Sequence, residues 1–120
     1  MTRALVVKCT VGVEEPERCN QAFTVAATAL SAGVDVSLWL TGDAAWLAVP
    51  GRAEEFSLPE ATPLSQLRDA VLAGGTLTVC SQCAARRQIT EDEVLLGVRI
   101  AGSVSFVDEI LRDDAQALVY

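Results

Sequence analysis

The 120-residue chain contains no histidine, and that absence removes the Ser-His-Asp and Cys-His nucleophile arrangements together with every His-ligated metal site. Basic residues are scarce as well. Nine Lys and Arg stand against sixteen Asp and Glu, a formal net charge of −7. Nucleic-acid binders carry a basic patch, so this balance points instead to proteins or small molecules as partners. No apolar run approaches the roughly 18–20 residues that span a bilayer. The first apolar run, Ala4 to Val7, is cut by Lys8 and is too short for the core of a secretory signal, so a cytoplasmic location is expected. Neither G-x-G-x-x-G nor Gly-Lys-Ser/Thr occurs, and Gly12 with Glu14-Glu15 makes no phosphate cradle.

What is present is globular: 51% hydrophobic and 21% charged residues, enough for one domain over 1–120 with a core of its own. Ala4 to Cys9 reads as a buried strand, because a near-continuous apolar run suits a parallel sheet. Thr10 to Glu15 is a loop, and Pro16 opens a helix. Cys19, Ala22, Phe23, Ala26 and Leu30 give that helix one apolar face, and Gly33 stops it. Asp35 to Leu40 is a second strand. Asp43 is placed to cap a short helix over Ala44 to Val49. Pro50 to Ala61 is a long surface loop, and Thr62-Pro63 starts a helix that Gly74-Gly75 ends. Leu77 to Cys80 forms the third strand, followed by a short helix. Thr90-Glu91-Asp92-Glu93 carries a capping-box pattern for another. Val98 to Ala101 is the fourth strand, Ser103 to about Arg112 a helix, and Ala117 to Tyr120 the fifth strand. Strands alternating with helices predict a small doubly wound α/β fold, a five-stranded parallel sheet with helices on both faces. With strand order 2-1-3-4-5, strands one and three are neighbours, and Cys9 and Cys80 open onto one crevice beyond the carboxyl ends of the strands.

Four cysteines in a reducing compartment are expected to be free, catalytic or metal-bound rather than disulfide-linked. Cys80 ends a strand and opens a helix, with Arg86-Arg87 following; backbone N–H groups and nearby cations there favour thiolate over thiol. The competing reading is a core cysteine packed as a small hydrophobe. Cys83 lies one helical turn on and completes a Cys-x-x-Cys. A thioredoxin-like protein carries that motif after its first or second strand, often with proline between the cysteines, and neither holds here. Cys9 and Cys19 lack the tight second pair of a zinc ribbon, so no metal and no cofactor are expected. Cys19 falls on the apolar stripe and is read as packing, whereas Cys9 stays ambiguous. Trp39 is read as core, and Trp46 with Leu47 as core or subunit contact.

The chain resembles the DsrE/TusD-like family of small sulfur-relay proteins along essentially its whole length. Three stretches carry the resemblance: the opening strand with its polar loop and Ala-rich helix; Leu38-Trp39-Leu40-Thr41-Gly42-Asp43; and Val79-Cys80-Ser81-Gln82-Cys83-Ala84-Ala85-Arg86-Arg87. The resemblance implies a flavodoxin-like fold and a homo-oligomer (trimer or hexamer) or hetero-oligomer. It also implies a persulfide-carrying cysteine, to which Cys80 corresponds. Arg86 and Arg87 match the basic residues after that cysteine, and Cys83 matches a second cysteine of some members. Gln88 stands where the family usually has glycine, so a different turn before Ile89 is expected.

The chemistry can be stated from the residues. A Cys80 thiolate attacks the outer sulfur of a donor persulfide and then yields it to an acceptor thiol, with no general base needed. Arg86 and Arg87 stabilise the anion or steer an acidic partner, unless they are simply solvated. Cys83 is a resolving or second thiol. The expected function is thus a sulfur carrier or sulfurtransferase in intracellular sulfur metabolism, with donor and acceptor proteins or small thiols as partners. The alternatives are a dithiol redox protein using Cys80 and Cys83, or a non-catalytic oligomeric binding subunit.

Overall fold

The computed structural model describes residues 3–120; Met1 and Thr2, at the start of the stretch assessed for a leader, lie outside the described residues. Five strands form one all-parallel sheet: β1 (Ala4–Cys9), β2 (Asp35–Leu40), β3 (Thr76–Cys80), β4 (Arg99–Ala101) and β5 (Ala115–Val119). Four α-helices connect them: α1 (Pro16–Ser31), α2 (Leu64–Gly74), α3 (Ser81–Arg86) and α4 (Ser103–Ile110). The strand order is β4-β3-β2-β1-β5. The expected order 2-1-3-4-5 is therefore wrong, because β2 lies between β1 and β3. The chain steps outward from β1 to β4 and then returns past β1 to place β5, so the reversal falls between β1 and β5. Thr10 fills that point by donating to the Tyr120 carbonyl from both its N–H (2.9 Å) and its hydroxyl (2.6 Å).

Side-chain alternation divides the sheet into two faces. On one, Val7, Cys9, Leu38, Leu40, Leu77 and Val79 pack against the apolar stripes of α1 and α2. This is the main core, built on Cys19, Ala22, Phe23 and Ala26 of α1 and Leu64, Leu67 and Val71 of α2. On the opposite face, α4 lies over Trp39, which meets Phe106 edge-to-face at 5.3 Å between centroids. Glu109 accepts hydrogen bonds from Ser37, Trp39 and Arg99, pinning α4 to β2 and β4. No residue of α4 is itself fully buried.

Local signals mostly translate as expected. Pro16 opens α1, and Gly33 (φ +85°) closes it in a Schellman arrangement, with Val34 N–H donating to the Ala29 carbonyl. Trp39 and Leu47 are core, and Trp46 is half-buried beneath the Arg52 guanidinium. Four readings need correction. The segment after β2 is a 3₁₀ helix (Gly42–Ala48) whose cap position is Thr41, not Asp43, because the Asp43 carboxylate is taken by Arg87. The Pro50–Ala61 stretch is no mere surface excursion: it forms a 3₁₀ turn (Ala53–Glu55), buries Ala53, and sends Glu54 to the buried Arg68. Thr90 and Glu93 make the capping-box contacts, yet only turns follow, since the chain reverses at Leu95 to Val98 around Gly97 (φ +95°). Finally, β5 begins at Ala115, earlier than Ala117, where it takes up its register with Ala4 of β1.

Candidate functional site

Cys80 is the last residue of β3 and caps α3, which begins at once with Ser81. It is the one half-exposed cysteine; Cys9, Cys19 and Cys83 are buried, and all four are free thiols. Partial burial pushes the Cys80 thiol up. The backbone N–H of Cys83, the Cys83 thiol, the backbone N–H of Gln82 and the charge of Lys8 together outweigh it, and the thiol lies below its ordinary value. Such a thiol is a better source of thiolate at neutral pH than an unperturbed one.

Cys83 faces Cys80 and has a second contact. Its sulfur accepts a hydrogen bond from the Gly42 N–H at 3.2 Å. Gly42 adopts φ +56°, and a Cβ there would sit 2.6 Å from the Thr10 carbonyl oxygen. Only glycine lets the β2 turn approach both β1 and α3 this closely. The Cys-x-x-Cys is thus held in one place from two sides, by its own short helix and by the turn after β2.

The two expected arginines separate. Arg87 turns back, donating to Asp43 at 2.7 Å and to the Cys83 carbonyl at 3.1 Å, so its charge is spent on holding α3 to the 3₁₀ helix. Arg86 is exposed. Downstream, α3 ends in a second Schellman arrangement: Ile89 N–H donates to the Ala84 carbonyl and Gln88 N–H to that of Ala85. Gln88 occupies the left-handed position at φ +57°, so the turn keeps the conformation that a glycine would favour.

Cys9 does not share the Cys80 crevice. With β2 intervening, its thiol points into the α1 face, donates to the Val11 carbonyl at 3.1 Å and meets Cys19. The hydrogen bond between these two sulfurs, with burial, pushes the Cys19 thiol far up. Among the described residues no group of three or more Cys, Asp or Glu side chains could hold a metal ion.

Lys8 was not singled out from the sequence, yet it is the cation whose charge bears on Cys80. The signal available was a lone charged side chain inside the apolar run of β1, at a position alternating with Val7 and Cys9.

Solved structures share this architecture. The ychN protein from E. coli superposes with a TM-score of 0.80 over 100% of both chains at 20% identity. MTH1491 from Methanobacterium thermoautotrophicum gives 0.71 over 100% of both chains at 10% identity. BT1422 from Bacteroides thetaiotaomicron gives 0.65 at 15% identity, covering 98% of this chain and 94% of the other. At such identities the likeness establishes the fold and nothing finer. No curated protein matches the chain significantly. The sequence pattern of the DsrE/DsrF-like family, however, matches residues 4–116, and by that match, from β1 to the start of β5, the chain belongs to the DsrE/DsrF-like family.

Proposed function

We propose that this protein is a sulfur carrier that accepts sulfane sulfur on Cys80 and passes it to an acceptor thiol. The observation that carries the reading is the contrast in accessibility among the four cysteines: Cys80 alone is half-exposed, and its thiol, like that of the buried Cys9, is lowered by its hydrogen bonds, with the charge of Lys8 adding to the effect at Cys80. Membership of a family associated with sulfur relay supports the same reading. In the first step the Cys80 thiolate attacks the outer sulfur of a donor persulfide. The bond between the donor's two sulfurs breaks, and the donor leaves as a thiolate. In the second, an acceptor thiolate attacks the outer sulfur of the Cys80 persulfide and regenerates the Cys80 thiolate. Neither step needs a histidine base. Cys83 has its own role beside this relay. By attacking the inner sulfur of the persulfide it would form a Cys80–Cys83 disulfide and release hydrosulfide, after which an external dithiol must reduce the pair. Arg86, exposed beside the site, steers acidic partners.

The partners are sulfur donors and acceptors, proteins or small thiols, and the compartment is the cytoplasm, where thiols stay reduced. The single 1–120 domain acts as an oligomer of identical or related subunits. Supporting this, Val104, Val107 and Leu111 of α4 and its C-terminal flank are exposed apolar residues, and so are Leu118 and Val119 on the two faces of the edge strand β5.

The test is intact-mass measurement after incubating the reduced protein with a persulfide donor. One added sulfur is expected on the wild type and on Cys83→Ser, and none on Cys80→Ser; an adduct that survives Cys80→Ser overturns the reading. A dithiol redox role is favoured by one observation, the contact between the Cys83 and Cys80 thiols. It predicts a reversible disulfide and full loss of activity in Cys83→Ser. Slow, ordinary alkylation of Cys80 at neutral pH would instead leave a non-catalytic subunit.

A further inference from the structure

We propose that Lys8 is the charge-holding residue of the Cys80 site: its ammonium, rather than Arg86 or Arg87, offsets the negative charge that develops on the Cys80 sulfur. The sheet register sets the geometry. Lys8 pairs with Trp39, and Trp39 with Thr78, so the three form one cross-strand row on the α4 face. Cys80 follows Thr78 on that face, two residues toward the carboxyl end of β3. The spacing of strands and residues puts the Lys8 and Cys80 backbones about 12 Å apart, and the lysine stem spans much of that. The ammonium is held on this face by the Phe106 ring, 4.1 Å from its centroid, and Trp39 braces that ring.

Lys8 is the only lysine in the chain, and among the described residues no carboxylate pairs with it although the chain carries sixteen acids. A half-buried lysine packs its stem on apolar surface and keeps its ammonium toward water, so this charge is free to act on an anion of the same face. The neighbouring charges are otherwise committed. From α4, Glu109 is bound by Arg99, Ser37 and Trp39; from β4, Arg99 is bound by Glu109 and Thr78. From the 3₁₀ helix, Asp43 is bound by Arg87 of α3. Arg86 of α3 is exposed, and Asp108 of α4 likewise faces solvent. On the β5 side the Tyr120 N–H donates to the Lys8 carbonyl; toward β3, the group on which the Lys8 charge acts is the Cys80 sulfur. A lysine also suits a carried sulfur, because its mobile tip with three donors can follow the charge from the thiolate to the outer atom of a persulfide. That last point rests on the sulfur-carrier reading; the thiolate assignment does not.

The experiment measures the rate of Cys80 alkylation by iodoacetamide against pH at low salt. Neutralising Lys8 by Lys8→Met should move the midpoint upward by about half a pH unit, as expected for one unit charge acting through a largely aqueous path. Lys8→Arg should restore it. Because there is one lysine, folded wild-type protein offers a route that needs no variant to fold. Acetylation, followed by hydroxylamine to free the thiols, removes the charge and should raise the midpoint; amidination keeps the charge and should not. An unchanged midpoint after acetylation overturns the proposal, as does a larger shift on Arg86→Met or Arg87→Met. Sulfur loading is scored separately by intact mass. A shifted midpoint with no sulfur adduct upholds Lys8 and defeats the carrier reading, whereas normal loading with an unshifted midpoint defeats Lys8 alone.

Discussion

At Cys80, burial and hydrogen bonding act in opposite directions and the hydrogen bonds prevail, whereas for the Cys9–Cys19 pair the contact and the burial together keep Cys19 protonated. Alkylation at neutral pH with peptide-level mass spectrometry should therefore modify Cys80 first, and Cys9 and Cys19 only after denaturation. Labelling of Cys9 in the native protein would contradict the burial described for it. Gln88 offers a second single-residue test. A non-glycine residue at φ +57° is strained by roughly 1–2 kcal/mol, so Gln88→Gly should stabilise the fold by about 1 kcal/mol after the entropy of the added glycine is set against the gain. A higher Tm in thermal unfolding is the expected outcome. Cys80 was legible in the sequence because an apolar run ending in cysteine before a helical segment is a local pattern. Lys8 was not, because its relation to Cys80 passes through two strand registers that no local pattern encodes.

Among the elements, α1 and α2 are secured by apolar burial, but α4 depends on a polar anchor. Burial raises the Glu109 carboxyl, and the hydrogen bonds from Arg99, Ser37 and Trp39 bring it below its ordinary value. Glu109→Gln should weaken the anchor by about 1–3 kcal/mol, the usual loss for hydrogen bonds to a charged group. Hydrogen exchange should speed up in α4 and β4 while β1 and α1 stay protected; uniform loss of protection would show that α4 is not a separable cover. The same polar anchor explains why the helix was easy to anticipate and its placement was not. The apolar spacing of Ser103 to Ile110 indicates a helix, but Glu109 reaches residues about seventy positions earlier. Likewise Thr90 and Glu93 made their local contacts, yet tertiary constraints on Leu95 to Val98 prevented a helix.

For the molecule as a whole, acid stability should track the carboxylates that folding lowers. Glu54, held by a bidentate bond to the buried Arg68, is lowered to about 2 from an ordinary 4.5. Its contribution is present above pH 4.5 and is lost as the pH falls toward 2, and Glu109 adds a loss of the same sign. Glu54 is half-exposed, so screening holds its share to about 1 kcal/mol. Denaturant unfolding at a series of pH values should show the decline over that window and a flatter profile for Glu54→Gln. The sequence by itself determined the fold class, the strand and helix segments, and the strand-end position of Cys80, because hydrophobic period and turn chemistry are properties of neighbouring residues. Only the tertiary structure decided the strand order, the separation of Cys9 from Cys80, the diversion of Arg87 to Asp43, and the placing of Lys8 and Cys80 on one sheet face. The physical reason is that which strands become neighbours depends on where each crossover lands, and that choice is made by packing across the whole sheet.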